Sequence, residues 1–175
     1  EHYKNEPWIK DENIPQDVKN YAAMVSMVDD NVGQVIDLLA ELNLSDDTIV
    51  FFTGDNGGQD RFRSPAHPRG FFGPNKHPIS GVEFRGGKGS LYEGGLRIPF
   101  LVQWPGRIQP GQVSDLMFAQ YDVLATLAAV AGAEIPSDTD GISILPTLLT
   151  TTNKPSGQEL HPHFYWEFGN MQAVR

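Results

Sequence analysis

Thr48-Ile49-Val50-Phe51-Phe52-Thr53-Gly54-Asp55-Asn56-Gly57-Gly58 joins a β-branched and aromatic run to an Asp-Asn pair set in glycines. Residues 48–53 read as a short buried strand, because successive apolar residues leave no polar face for water. The strand's carboxyl end then carries a carboxylate and an amide oxygen side by side. Open α/β sheets bind their ligands at that edge. Both groups are hard oxygen donors of the kind Ca²⁺ or Mg²⁺ accepts, and the flanking glycines let the backbone turn tightly. Asn-Gly is also an ordinary hairpin turn, so this stretch alone leaves both readings open.

About thirty residues later comes Phe84-Arg85-Gly86-Gly87-Lys88-Gly89-Ser90-Leu91-Tyr92-Glu93-Gly94-Gly95-Leu96-Arg97-Ile98-Pro99, followed by the apolar run Phe100-Leu101-Val102. An ammonium on a glycine-rich loop suits a tetrahedral oxyanion, since it brings a point charge and a backbone that approaches closely. A nucleotide-binding phosphate loop is excluded. Val82 stands where that motif needs its first Gly, and Gly89 where it needs Ser or Thr. Standing alone, the cluster also reads as a mobile surface loop.

Taken in order, these motifs, with Gln103-Trp104-Pro105-Gly106-Arg107-Ile108 after them, closely resemble the sulfatase family. Tyr21–Gly33 resembles the helix before the family's metal-binding strand. Tyr121–Leu127, Asp140–Pro146 and Tyr165-Trp166-Glu167-Phe168 resemble its later helix, loop and strand. The resemblance spans nearly the whole chain. It implies an α/β, alkaline-phosphatase-like sheet with flanking helices, present as a partial domain.

It further implies hydrolysis of sulfate esters, with sulfated sugars as a family-level substrate class. In that family a formylglycine, made from Cys or Ser in a Cys/Ser-x-Pro/Ala-x-Arg motif, attacks sulfur, while a divalent cation, usually Ca²⁺, holds the sulfate. Carried over by motif, Asp55 and Asn56 are metal ligands and Lys88 is the sulfate contact. His67 and His77, in the long loop beside them, are candidate substrate contacts. His2 lacks the family's surrounding motif. A periplasmic, secreted or lysosomal location follows from the resemblance alone.

The chain departs from the family in one respect that shapes every expectation. It has no Cys. Ser64-Pro65-Ala66-His67-Pro68-Arg69 puts Arg one position too late and lies after the metal pair rather than before it. Asp29-Asp30 falls in a helical pattern, where charged pairs ordinarily face water. Residues 1–175 are therefore expected to be the second half of a sulfatase catalytic domain. Its formylglycine, its other metal ligands and its partner half would lie outside this chain, and the chain alone would be inactive. Two rivals stay open: a phosphate mono- or diester hydrolase of the same superfamily, and a non-catalytic binding module derived from it.

Composition bounds the partners. The 175 residues carry a formal net charge of −9, which argues against a nucleic-acid surface. Arg61, Arg63, Arg69, Lys76, Arg85 and Lys88 concentrate positive charge beside the presumed site. No apolar run approaches the ~18 residues that a membrane helix needs. Without Cys there are no disulfides.

Apolar residues recurring at steps of three and four predict a helix over about 16–42, with Tyr21, Met24, Val25, Val28, Val32, Val35, Ile36, Leu39 and Leu42 on its inner face. Further helices are expected over 120–131, ending at Gly132, and near Leu145–Leu149. Strands are expected at 48–53, 98–103 and 163–168. Residues 54–97 form an unusually long connection with 11 glycines. Strand–helix alternation favours a parallel-type sheet. His161 and His163 alternate as a zinc pair would, but lack a clear third ligand nearby.

Overall fold

A computed structural model describes residue 5, residues 7–150 and residues 157–175. His2 lies outside them. In chain order the elements are α1 (Pro7–Lys10), α2 (Gln16–Glu41), β1 (Val50–Thr53), α3 (Glu93–Leu96), β2 (Phe100–Gln103), α4 (Asp122–Ala131), α5 (Leu145–Leu149), β3 (Tyr165–Phe168) and β4 (Met171–Val174). β1 pairs with β2, and β3 with β4. The chain, expected to form a single unit, divides into two compact ones: residues 1–45 with 52–100, and residues 46–51 with 101–175.

The first unit holds α2 and the long connection. Val18 is buried, and Tyr21 on the same side of the helix meets Phe62 and Phe72, with ring centroids 5.7 and 5.5 Å away. Phe71 packs edge-on against Phe72, and the Arg61 guanidinium lies over the Tyr21 ring. These aromatic contacts fasten the connection to the helix. The rest of the expected inner face does not close: Met24, Val25, Val28, Val35 and Leu42 are exposed. Periodicity marks an apolar stripe, but it does not supply the surface that covers the stripe. The Asp29-Asp30 pair is exposed, as a helical pair in water should be.

β1 is shorter and more open than the apolar run predicts, with Val50 and Phe51 half-buried and Phe52 exposed. It has one neighbouring strand among the described residues, so it lacks the two-sided cover that its composition suits. The connection that follows is not structureless. Short bridges join Ser64 to His67 and Lys76 to Glu83, and α3 forms near its end.

The second unit is organised around a buried carboxylate. Asp122, at the start of α4, accepts from the backbone N–H groups of Ala119 and Ile142, each at 2.8 Å, and lies 2.8 Å from the His161 ring Nε2. Its neighbour Thr126 donates to the Asp122 carbonyl and accepts from Ile144 N–H. The helix start, the segment before α5 and the approach to β3 are thereby tied to one point. α4 ends at Gly132 in a left-handed conformation (φ 66°), the cap the sequence predicts. β3 and β4 form an antiparallel hairpin with Phe168 opposite Met171. β4 was absent from the sequence reading, although Gly169-Asn170 after Phe168 is a two-residue hairpin signal. The hairpin is an antiparallel pair in addition to the parallel-type sheet that the sequence predicts.

Candidate active site

β1 delivers Gly54–Gly58 directly against the glycine-rich segment 86–95. Gly57 N–H donates to the Gly95 carbonyl at 2.8 Å, and Lys88 N–H donates to the Gly58 carbonyl at 2.8 Å. Glycine is required at this crossing. A Cβ on Gly57 would collide with the Gly94 carbonyl oxygen, and one on Gly94 with the Gly86 carbonyl oxygen. Two backbones therefore run in contact, with Asp55 and Asn56 on one and Lys88 on the other.

Ser90 stabilises the Lys88 turn by donating to the Gly87 carbonyl at 2.9 Å, while Gly86 and Gly89 take positive φ. Arg85 covers the Tyr92 ring at 3.9 Å. Arg69 holds the outer wall: its Nη2 donates to the Phe84 and Gly86 carbonyls, and its Nε to Asp60 Oδ2 at 3.0 Å. Arg63 Nη2 reaches the same Asp60 oxygen, also at 3.0 Å.

The side chains suited to ligand binding are the ones left without protein partners. Among the described residues, the Asp55 carboxylate, the Asn56 amide and the Lys88 ammonium make no hydrogen bond or ion pair. Asp55 and Lys88 are exposed and Asn56 is half-buried. Two hard oxygens at a strand end suit part of the ligand set of a divalent cation, which takes six to eight in the case of Ca²⁺. They do not complete one. Among the described residues, no three His, Asp or Glu side chains gather at a metal-sized spacing.

Lys88 opens on a cavity of about 570 Å³, lined by Gln59, Asp60, Arg63, Arg69, Ser90 and the backbone of the Lys88 turn. His67 and His77 do not line it. His67 Nδ1 lies 3.3 Å from Ser64 Oγ within a local turn, and its ring packs on Phe71. His77 Nδ1 accepts from the N–H groups of Ile79 and Ser80 and closes another turn. Sequence reasoning counted Arg63 and Arg69 only as general positive charge, and it missed Asp60 and Gln59. His161, considered for zinc, is committed to Asp122.

The profile of the Sulfatase family matches residues 1–133. Human N-acetylgalactosamine-6-sulfatase is 40% identical over 157 residues, covering 88% of this chain and 27% of that protein. Rat steryl-sulfatase is 41% identical over 133 residues, covering 74% of this chain and 22% of that protein. The chain thus spans only a minor part of the length of these relatives. A solved structure concerned with the metabolism of multiple glycosaminoglycans by Bacteroides thetaiotaomicron superposes with a TM-score of 0.62 at 31% identity, over 85% of this chain and 30% of that one. Its structural neighbours are sulfatases of alkaline-phosphatase-like fold, matched over part of their length. With its paired strand-end oxygens and its glycine-cradled lysine in the matched region, this chain belongs to the sulfatase family.

Proposed function

We propose that this chain is the second half of the catalytic domain of a longer protein that hydrolyses sulfate esters, and that it contributes the Lys88 side of the sulfate site. The observation that carries the reading is the unpartnered Lys88 ammonium on a backbone bonded directly to the Asp55–Asn56 turn. Lys88 binds non-bridging oxygens of the sulfate and stabilises the charge that develops on them as the ester bond breaks. Asp55 and Asn56 supply two oxygens to a divalent cation, Ca²⁺ by family resemblance. When bound, that ion contributes Lewis-acid stabilisation of the same charge. The remaining ligands and the formylglycine nucleophile lie outside this chain, which has no Cys to convert. His67 and His77 remain candidates for contact with parts of the substrate beyond the cavity.

The substrate class we propose is a sulfated sugar. Every cavity-lining residue is polar or glycine, which suits a hydroxyl-rich ligand better than a sterol. The test is turnover of matched aryl sulfate and aryl phosphate by the longer protein, with Lys88→Ala beside it. Sulfate cleavage is expected, falling by about 10²–10³ in kcat for the variant. Preferential phosphate cleavage would replace this reading with the phosphoesterase one, and binding without turnover of either with the non-catalytic one. Full activity in Lys88→Ala would overturn the assignment of that residue.

A further inference from the structure

The cavity beside Lys88 carries more positive charge than one sulfate ester neutralises. Among the described residues Lys88, Arg63 and Arg69 line it, with Asp60 as the only carboxylate, in a chain whose formal net charge is −9. A volume of about 570 Å³ lies within the range that accommodates ligands much larger than a single oxyanion.

The two arginines are not equivalent. Arg69 is spent on the wall, with its Nε on Asp60 and its Nη2 on two backbone carbonyls. Arg63 makes fewer bonds and only to Asp60. Its Nη2 meets Asp60 Oδ2 at 3.0 Å and its Nε the Asp60 carbonyl at 3.3 Å, while Nη1 has no partner among the described residues. The Arg63 side chain is 64% exposed, against 12% for the Asp60 carboxylate that orients it. Arg69 Nη1 is likewise without a partner among the described residues, but Arg69 makes three bonds to the two of Arg63 and its side chain is 38% exposed. Lys88 and Arg63 are therefore the more open cavity cations.

We propose that Arg63, oriented by Asp60, is a specificity residue that binds a second anionic group, a carboxylate or a further sulfate, on the substrate whose scissile sulfate Lys88 holds. This rests on the sulfate-ester reading of Lys88 and adds to it a substrate with two anions. A planar guanidinium suits either group through paired N–H donors. Asp60 accepts from both arginines through a single oxygen, so the Arg69 bond keeps it in place when Arg63 turns part of its fork to the ligand.

The experiment compares Arg63→Gln and Arg63→Lys with the parent in the longer protein. Three probes are used: a neutral sugar carrying one sulfate, a disulfated disaccharide, and a monosulfated disaccharide with a uronic carboxylate. Arg63→Gln is expected to raise KM for one two-anion probe by about tenfold, the effect of one charge-assisted hydrogen bond, with kcat unchanged. The one-anion probe stays within about twofold, and Arg63→Lys recovers part of the loss. Which two-anion probe responds identifies the second group. An equal loss on all three probes would mark Arg63 as structural and overturn the proposal, as would no loss on any. If the parent cleaves none of them, the sulfatase reading fails separately. Calorimetric titration of the same probes then decides the Arg63 proposal, since binding of both two-anion probes must stand unweakened in Arg63→Gln to overturn it.

Discussion

At the scale of single residues, partnered and unpartnered polar groups separate structure from chemistry. Asp122, with a side chain 1% exposed, accepts from two backbone N–H groups and contacts His161, so its oxygens are saturated inside the protein. Asp55 makes no such bond. The first reads as an anchor and the second as a ligand-facing group, although both are aspartates near element ends. Asp122→Ala leaves two N–H groups and an imidazole without their acceptor, so a loss on the order of 3 kcal/mol is expected. His161→Ala leaves Asp122 both backbone donors and should cost less. Denaturant unfolding of the longer protein measures the order, and a larger loss in His161→Ala would contradict this account. Burial first, then the Asp122 and Asp140 charges, hold the Tyr121 phenol above its ordinary value of 10.0. The stability linked to that phenol is therefore present below pH 10 and is lost as pH rises through the raised value.

At the scale of elements, what the sequence made legible followed short-range rules. The helix expected over 16–42 is Gln16–Glu41, and those at 120–131 and 145–149 are Asp122–Ala131 and Leu145–Leu149. Periodicity and a Gly cap act within a few turns, so they can be read from the chain directly. The strands shortened, because their length depends on neighbours that the run itself does not contain. In the site, Asp55, Asn56 and Lys88 were visible as motif residues. Asp60 and its two arginines were not, since Arg69 meets Asp60 only after the loop folds back across nine positions. The same closure makes the turn after β1 sensitive to small changes. Gly57→Ala drives a methyl into the Gly94 carbonyl and separates the Asp55 turn from the Lys88 loop. Roughly 1–3 kcal/mol of stability should be lost, with sulfate-ester turnover falling further than unfolding alone explains. A Gly57→Ala protein with normal melting and normal turnover would show that the two backbones can part without consequence.

At the scale of the whole molecule, the question is whether this chain buries enough of itself to stand alone. Its accessible surface is 12628 Å² for 19.3 kDa. A compact protein of that mass exposes about 8,500 Å², and two separate globules of half the mass about 10,200 Å² in total. The excess therefore does not depend on how the two units are arranged. Among the described residues only Val18, Ala125, Ile144 and Phe164 are buried apolar side chains, while Met24, Met27, Val35 and Leu38 on α2 are each more than half exposed. Hydrophobic burial is the main term opposing chain entropy, and here most of the apolar stripe on α2 contributes little to it. The chain's coverage of 27% of its human relative fits the proposal that further residues of a longer protein cover that stripe. The isolated 175 residues should accordingly bind a hydrophobic dye and melt over a broad range, whereas the longer protein should exclude the dye and melt sharply. A sharp, dye-free transition in the isolated chain would mean that it forms a self-sufficient core, and the half-domain proposal would have to be given up.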